Sequence, residues 1–431
     1  MRNSVGIILF LTVLLIFLNA DQMVMAPNIG LIEAEFGVND AQIGLVASVF
    51  TVLGALISLL WGYLADKYNR KNLLVFSILV GEIPCLMTAF AGSYGALFFW
   101  RAMTGIGVGA SFPIAYSYIG DMFEGKKRGN MVAILSISVS IGSIVGMVIG
   151  GFLGESAGWR LPFILVSAPN IILGACAYFF LKEPKRGAYE EGLGEKVRQG
   201  YTYKKRIELK DYLQLFTIKT NLLLFLQGIL GTVPWGAIPY FLVEFFKRER
   251  NLDAGMATIV FIFFGLGSVA GILFGGWLGQ RLYNRKKSLV PLFCAVTTLL
   301  GVFLTVWVFD HDVTPPAGVA ILVLLGFIAA FFDSTTGPCV KTMLLNVNEP
   351  YNRGRLFSIF NLTDSLGTGI GKFVGGSLSA ALGSLGAAMK VSAYFWLGCS
   401  VFLFILIRYF AEDVRRLDEK MKQESTTLQS S

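Results

Sequence analysis

Apolar runs of about 20 residues recur along the whole of this 431-residue chain, and each is long enough for a helix to cross a bilayer. Backbone amides inside lipid must be hydrogen-bonded within the protein, so only helices and closed barrels can span. Barrel strands would alternate apolar and polar residues, and these runs do not. The sequence therefore predicts an all-α membrane protein with about twelve transmembrane helices, at roughly 4–28, 41–64, 72–91, 95–119, 129–154, 159–181, 215–246, 255–281, 288–309, 315–345, 353–383 and 387–411.

Composition and charge placement agree with this prediction. The chain is 55% hydrophobic and 15% charged, whereas a soluble protein carries about a quarter charged residues. The net charge of +8 does not indicate nucleic-acid binding, because the cations lie mainly in alternate loops, as the positive-inside rule requires. We therefore expect both termini to be cytoplasmic and the membrane to be the plasma (inner) membrane. The cytoplasmic groups are Lys67/Arg70/Lys71, Lys126/Lys127/Arg128, Arg281/Arg285/Lys286/Lys287 and Arg415/Arg416; an outer cluster, Lys247/Arg248/Arg250, breaks the pattern.

Hydrophilic stretches divide the chain. We expect an N-terminal six-helix half over 1–181, a cytoplasmic linker over 182–214, a C-terminal six-helix half over 215–411 and a cytoplasmic tail over 412–431 that frays. The basic residues of the linker suit either a solvated connection or a segment lying on the anionic inner leaflet, and the two interpretations are compatible.

The two halves repeat each other. The phrase that begins at Gly62 and ends at Lys71 returns in altered form at 276–287. Arg128-Gly129, Pro113 and four glycines of the fifth span each recur 225 positions later. This repeat predicts parallel halves related by an axis along the membrane normal, with a binding site near the midplane between them. The glycines, Gly142/146/150/151 and Gly367/371/375/376, indicate either static helix packing or a sliding contact between the halves.

No motif points to an enzyme or a cofactor. The stretch 367–373 lacks the first glycine and the Ser/Thr of a phosphate-binding loop, and 105–109 has no preceding strand. The five cysteines lie in apolar runs without metal spacing, and His311 is the only histidine. We therefore expect no catalytic residue, no metal and no cofactor, and no direct use of ATP.

Charged side chains inside the spans are the sharpest functional signal, because each is costly in lipid unless it is paired or hydrated. Asp21, Asp333 and Asp364 are expected to face a watery cavity, where poorly solvated carboxylates can take up protons. They are candidates for proton coupling or for attracting a cationic substrate. Longer side chains can reach the membrane surface, as we expect in part for Arg101, Lys341 and Lys372. Glu82 in the third span has no assigned role.

A cytoplasmic gate is predicted at the opening loop. Gly62 begins it, and Asp66 can be stabilised by the N-terminus of a neighbouring helix. Arg70 could reach Asp121 or Glu124 when the cytoplasmic side is shut. The alternative is that these charges only set topology.

The loop 62–71, the motif Arg101-x3-Gly105-x-Gly107-x-Gly109-x3-Pro113 and Gly158-Trp159-Arg160 resemble the major facilitator superfamily over essentially the whole chain. The segments 233–236, 337–348 and 360–367 resemble the bacterial Spinster-type branch. This resemblance implies proton-linked movement of lysophospholipids or sphingoid compounds, with Asp21 handling protons and Lys341 replacing a usual arginine. Two departures are Gln22, where arginine is usual, and the absence of a glutamate at 107–111.

Together these features predict a monomeric secondary transporter with alternating access, whose partners are protons, membrane lipids and an amphipathic substrate. Lys341 would meet an anionic headgroup. The rivals are a multidrug exporter or organic-anion transporter of the same fold, and a lipid scramblase or sensor without gradient coupling. The expected substrate-binding residues are Asn19, Arg101, Tyr116, Trp235, Lys341 and Asn361.

Overall fold

A computed structural model describes the backbone of residues 2–110, 113–115, 118, 125–181, 183, 213–311, 317–349 and 353–430, and the side chains of these residues except 2–5, 66, 125–137, 317, 353–354 and 421–430. Over this part of the chain the regular structure is entirely helical. The helices are α1 (Arg2–Met23), α2 (Ile29–Phe36), α3 (Asp40–Lys67), α4 (Arg70–Thr88), α5 (Tyr94–Val108), α6 (Gly125–Ala157), α7 (Arg160–Phe180), α8 (Lys219–Arg250), α9 (Ala254–Arg285), α10 (Leu289–Asp310), α11 (Ala317–Ser334), α12 (Thr336–Val347), α13 (Arg353–Leu382), α14 (Leu385–Ala393) and α15 (Phe395–Ser430).

Ten stretches of the described residues are helical, long and apolar enough to cross a membrane. The two remaining predicted spans correspond to α5 and α13. Helix α5 is described as a continuous helix for 15 residues only, and its continuation includes residues outside the described part. Helix α13 has 30 residues, but Arg355, Asp364 and Lys372 lower its hydropathy. The prediction of about twelve membrane helices therefore agrees with the structure. The charged residues of α13 explain why this helix is not among the ten stretches that are apolar enough to cross a membrane.

The chain forms two compact units. The first comprises Met1–Arg206, Phe246–Arg248 and Leu252–Thr258; the second comprises Ile207–Phe245, Glu249–Asn251 and Ile259–Ser431. The predicted linker lies almost wholly outside the described residues.

In the first unit, small residues let α6 lie directly on α1. A Cβ placed on Gly142 would lie 2.7 Å from the Cβ of Asn19, and one on Gly146 would overlap the carbonyl oxygen of Ala20. A Cβ on Gly150 would lie 2.6 Å from the Cγ of Pro27. Glycines four residues apart therefore form the face on which the α1 backbone rests.

The second unit repeats this packing between α13 and α8. Cβ atoms on Gly367 and Gly371 would overlap the carbonyl oxygens of Ile229 and Val233. The contact of Gly142 in the first unit corresponds to that of Gly367. A Cβ on Gly142 would overlap the carbonyl oxygen of Ile16, which lies 213 positions before Ile229. The repeat seen in the sequence is therefore a repeat of helix contacts. These faces pack inside each unit in this structure, which agrees with static packing, and a sliding contact between the halves stays a prediction.

The opening loop and its repeat also have matching surroundings. A Cβ on Gly62 would lie 3.9 Å from the Cβ of Pro113, and a Cβ on Gly276 would lie 3.7 Å from the Cβ of Pro338. Both prolines belong to the sequence repeat, so each unit places the same glycine against the same proline.

The polar tail is helical. The backbone of α15 continues from the last span to Ser430, and fraying of this helix stays a prediction. Its exposed face carries Arg416–Glu412 and Arg415–Glu419 pairs one helical turn apart, and Lys287 of the α9–α10 connection binds Asp418 at 3.3 Å. Ion pairs of this spacing stabilise a helix on their own. The apolar pattern of the preceding span did not reveal that the helix continues into the polar tail.

Candidate transport and coupling residues

A buried ion pair joins α1 and α5 in the first unit. Arg101 Nη1 donates to Asp21 Oδ1 at 2.5 Å, and Arg101 Nη2 donates to the Asp21 carbonyl oxygen at 3.2 Å. The Cys85 thiol of α4 donates to the same Oδ1 at 2.9 Å. Asp21 is 0% exposed and Arg101 is 2% exposed. Asp21 therefore faces protein in this structure, and not the watery cavity that the sequence predicted.

The glycines of α5 explain how three helices meet at this pair. A Cβ on Gly105 would lie 3.0 Å from the Cα of Phe50 in α3, and a Cβ on Gly81 of α4 would lie 3.3 Å from the Cα of Gly107. Such close backbone approach requires residues without side chains. The glycine-rich motif that follows Arg101 therefore brings α3 and α4 against α5.

Arg101 is held by rings as well as by Asp21. Its guanidinium carbon lies 4.4 Å from the ring centroid of Phe50 and 5.6 Å from that of Phe163. A guanidinium over an aromatic face gains a cation–π attraction that grows when water is excluded. Arg101 therefore does not extend to the membrane surface, which corrects the expectation that it would do so in part.

Glu82 lies in the same cluster. It is 0% exposed on α4, and the Asn170 amide of α7 donates to its Oε1 at 2.6 Å. Its charge interacts with Asp21 and Arg101. The sequence signalled Glu82 as an acid inside a span but gave no partner, because Asn170 and Arg101 are distant in the chain.

Asn19 lies beside this cluster but binds its own helix. Its amide donates to the Leu15 carbonyl at 2.7 Å, and its Oδ1 accepts from Gln22 at 2.9 Å. Asn19 is 2% exposed. Two expected substrate ligands, Asn19 and Arg101, are therefore buried side chains in this structure.

In the second unit, Asp364 of α13 lies against α8. A Cβ on Gly228 would lie 2.9 Å from Asp364 Oδ1, and Asp364 interacts electrostatically with Lys341 of α12. Lys341 and Asn361 are exposed, and Asp364 is half-buried. Trp235 is half-buried between Phe264 and Trp396, with ring centroids 6.0 Å from each. The expected ligands Lys341 and Asn361 are thus accessible.

Asp333 occupies a separate position, at the end of α11. It is 8% exposed, and the Thr305 hydroxyl of α10 donates to its Oδ2 at 2.8 Å. A Cβ on Gly301 would overlap Asp333 Oδ1, so the carboxylate fills the space left by that glycine. Asp333 is therefore enclosed by α10, which corrects the expectation of an open watery setting.

Lys372 also differs from expectation. It is 3% exposed on α13, and its Nζ lies 5.2 Å from the ring centroid of Tyr240 on α8. The side chain remains inside the second unit and does not reach the membrane surface.

Arg70, one of the predicted gate residues, is buried at the start of α4. Its Nε donates to Glu183 Oε1 at 2.8 Å, and the backbone N–H of Lys71 donates to Glu183 Oε2 at 2.9 Å. Glu183 thus holds the first turn of α4, where a carboxylate is also favoured by the helix dipole. Its predicted partners Asp121 and Glu124, the side chain of Asp66 and the expected ligand Tyr116 lie outside the described residues.

The Gly158-Trp159-Arg160 motif binds one acid of α2. Arg160 donates from Nη1 and Nη2 to the two carboxylate oxygens of Glu35, at 2.6 and 2.5 Å, and Trp159 Nε1 donates to Glu35 at 2.7 Å. Gly158 has φ +81°, a conformation that favours glycine. The motif therefore fixes the entry into α7.

Two of the three outer cations that had no explanation from sequence form ion pairs, and Arg250 donates to the carbonyl oxygens of Glu249 and Phe309. Lys247 binds Glu155 at 3.1 Å, and Arg248 binds Asp40 at 3.1 Å and Glu33. Their neighbour Glu249 accepts from the backbone N–H groups of Leu385 and Gly386 at the start of α14. Side chains far apart in the chain satisfy these charges, and no local pattern reveals that.

The described residues contain no group of acids, cysteines and histidine arranged to hold a metal ion.

Helices of membrane-spanning length that bury paired charges at mid-span are the architecture of a polytopic membrane transport protein. Residues 9–234 and 220–429 match the Major Facilitator Superfamily, and the chain belongs to this family. It is therefore a multi-pass integral membrane protein of a transporter family.

Several known proteins are similar to the chain. Protein spinster of Drosophila melanogaster is 25% identical over 288 residues, which are 65% of this chain and 46% of that protein, so the chain spans about half of that relative's length. Sphingosine-1-phosphate transporter SPNS2 of Danio rerio is 25% identical over 397 residues, covering 87% of this chain and 76% of that protein. Multidrug resistance protein MdtG of Klebsiella pneumoniae (strain 342) is 27% identical over 350 residues, covering 79% and 77%.

A solved structure has the same fold. It is a bacterial homolog of the human lysosomal transporter Spinster in an inward-facing, unoccupied conformation. The TM-score is 0.83 at 21% identity, and the match covers 95% of this chain and 98% of that one. At this identity the likeness concerns the fold alone.

Proposed function

We propose that the protein is a proton-coupled secondary transporter that moves an amphipathic small molecule, such as a lysophospholipid or a sphingoid lipid, by alternating access. The observation that carries the coupling is the buried Asp21–Arg101 pair. Similarity to the sphingosine-1-phosphate transporter of Danio rerio supports the lipid class of substrate.

Protonation of Asp21 would have a direct electrostatic consequence. The pair is neutral while Asp21 is ionised, and breaking a buried pair by neutralising one partner costs about 3–5 kcal/mol because the other charge is left uncompensated. A proton on Asp21 would therefore free Arg101 for another anion. Because linkage is reciprocal, an anionic headgroup that binds Arg101 would favour proton binding at Asp21.

The second unit supports an amphipathic substrate. Lys341 and Asn361 are exposed polar side chains on membrane helices, and the half-buried Trp235, which packs on the buried Trp396, offers apolar surface in the same unit. A lysine suits a phosphate headgroup as a point charge, and aromatic rings suit an acyl chain. We propose Lys341 and Asn361 as headgroup ligands, and Asp364, which Lys341 influences, together with Asp333 as further coupling acids.

The remaining expectations complete the proposal. The transporter is a monomer of the plasma (inner) membrane with both termini cytoplasmic, and residues 182–214 link its halves. Gly62, Asp66, Arg70, Asp121 and Glu124 form the cytoplasmic gate. The Arg70–Glu183 pair supports part of that gate, because it ties the start of α4 to the beginning of the linker.

The test is uptake of a labelled lysophospholipid into proteoliposomes, with and without an imposed pH gradient. We expect gradient-stimulated uptake in the wild-type protein and loss of the stimulation in Asp21→Asn, while gradient-free exchange of the lipid persists. Asp310→Asn makes the same chemical change at the exposed last residue of α10, where Asp310 pairs at the surface with Lys390 at 2.6 Å, and should keep the stimulation. Intact stimulation in both Asp21→Asn and Asp364→Asn would contradict the coupling assignment.

Similarity to MdtG favours one second candidate, a multidrug exporter of the same fold. A parallel uptake assay with a lipophilic cationic dye separates the two. Gradient-dependent movement of the dye without movement of the lysophospholipid would favour the exporter. Lipid movement that ignores a collapsed proton gradient would instead indicate a scramblase.

A further inference from the structure

The buried cluster of the first unit contains more acid than base. Asp21 of α1 and Glu82 of α4 are each 0% exposed, and Arg101 of α5 is the cation whose charge reaches both. Among the described residues, the other group of the cluster that can ionise is Cys85, which acts as a neutral thiol donor to Asp21. Helix α7 contributes Asn170, which has no charge.

Charge balance then implies a bound proton. Two ionised carboxylates and one guanidinium leave a net negative charge at a site closed to water, and an uncompensated charge there costs several kcal/mol. One proton removes the excess. The cluster is therefore neutral when it holds one proton for its two acids.

Geometry assigns this proton to Glu82. Asp21 Oδ1 already receives Arg101 at 2.5 Å and Cys85 at 2.9 Å, as expected for an ionised acceptor. Glu82 Oε1 receives only the neutral Asn170 amide at 2.6 Å, so Asp21 has a cation as its direct partner and Glu82 does not. Within the described residues no hydrogen bond reaches Glu82 Oε2 or Asp21 Oδ2. An amide can serve both protonation states, because its NH2 donates to a carboxylate and its carbonyl accepts from a carboxylic acid.

We propose that Glu82 is the proton-binding carboxyl of the first unit, and that Asp21, Arg101 and Asn170 make its protonation state depend on the Asp21–Arg101 pair. When Asp21 takes a proton, Glu82 gives up its own proton and becomes the counterion of Arg101. When Arg101 turns to another anion, Glu82 keeps its proton, because the cluster has lost its cation. Glu82 thus stores the proton that Asp21 and Arg101 exchange with the substrate cycle.

This inference rests on the proposed proton coupling, but its first test needs no transported substrate. Infrared difference spectra of the purified protein, recorded between acidic and alkaline buffer, report the C=O stretching band of protonated carboxylic acids. We expect Glu82→Gln to lose one such band of the wild type. Glu419→Gln, the same change on the exposed face of α15, should keep all bands.

Asn170→Leu identifies the acid that holds the proton. It removes the amide that contacts Glu82, whereas Asp21 is bound by Arg101 and Cys85. We expect the band lost in Glu82→Gln to change frequency in Asn170→Leu. An unchanged spectrum in both Glu82→Gln and Asn170→Leu would overturn the proposal.

Transport of the labelled lysophospholipid gives the second readout. We expect Glu82→Gln to keep gradient-free exchange of the lipid. A pH gradient should no longer stimulate uptake in this variant, so uptake should be the same with and without the gradient. Retained gradient stimulation in Glu82→Gln would overturn the proposal. If the wild type does not move this lipid, the infrared arm still decides the role of Glu82, and only the proposed substrate fails.

If Glu82→Gln does not fold, Glu82→Asp keeps the carboxyl, and a shifted band supports the assignment while an unshifted one overturns it.

Discussion

At the scale of single residues, Arg70 is a large charged side chain that is 1% exposed, and Glu183 accepts from it and from the neighbouring backbone. We expect Glu183→Gln to destabilise the protein by about 1–3 kcal/mol, because a buried cation loses a charged acceptor. The measurement is the thermal unfolding midpoint in detergent.

The matched control for that prediction is Glu419→Gln. It breaks an exposed i,i+4 pair with Arg415, and such pairs contribute only about 0.3–0.5 kcal/mol. Equal midpoints for Glu183→Gln and Glu419→Gln would show that other contacts of Arg70 are sufficient to hold it.

The residue scale is also where the sequence was least informative. Asp21, Glu82 and Arg101 could each be recognised as a charge inside an apolar run. Their pairing could not, because it joins residues 80 positions apart and depends on how α4 and α5 touch. The placement of its charge inside a span made Arg101 one of the expected substrate-binding residues. The structure gives it a protein partner, and a substrate role for Arg101 stays a prediction.

At the scale of helices, the glycine faces could be predicted but not the helix that each one meets. Spacing of four residues showed that one face of α6 and one of α13 are free of side chains. Nothing in that pattern specifies α1 and α8 as the partners. A sliding contact and a static one look identical in sequence, since both need small residues.

Alanine substitution tests the close approach of these helices. Alanine is favoured over glycine in a helix by about 1 kcal/mol, but overpacking costs about 1–3 kcal/mol where no space exists. We therefore expect Gly146→Ala and Gly371→Ala to lower the unfolding midpoint in detergent, because their Cβ atoms would overlap the carbonyls of Ala20 and Val233.

Gly326→Ala is the control, since a Cβ there would have no atom within 4 Å inside α11. This variant should be neutral or stabilising. If all three variants raise the midpoint, helix propensity outweighs packing, and α1 and α8 can move away from the added methyl groups without cost.

At the scale of the whole molecule, the repeat accounts for most of what the sequence could predict. Gly62 and Gly276 are 214 positions apart, whereas Pro113 and Pro338 are 225 apart, so the second half has longer connections between these points. The Gly62–Pro113 and Gly276–Pro338 contacts are the same in both units despite this difference in length, because each contact depends on a glycine and the proline that it faces. Units built from the same contacts explain why membrane spans, halves and family could be anticipated, while the side-chain pairs that differ between halves could not.

The placement of the basic residues in alternate loops predicts the orientation of the chain in the membrane. This orientation can be measured with single-cysteine variants. The natural cysteines lie within apolar helices, and four of the five are buried, so the wild type should resist a membrane-impermeant thiol reagent. Tyr68→Cys and Lys286→Cys, at exposed positions beside basic loops, should react only from the cytoplasmic side. Gly92→Cys and Asp253→Cys, at exposed positions in the intervening connections, should react only from outside. Labelling of Tyr68→Cys and Lys286→Cys from opposite sides would contradict parallel halves, because an even number of helices must separate these two loops if both are cytoplasmic.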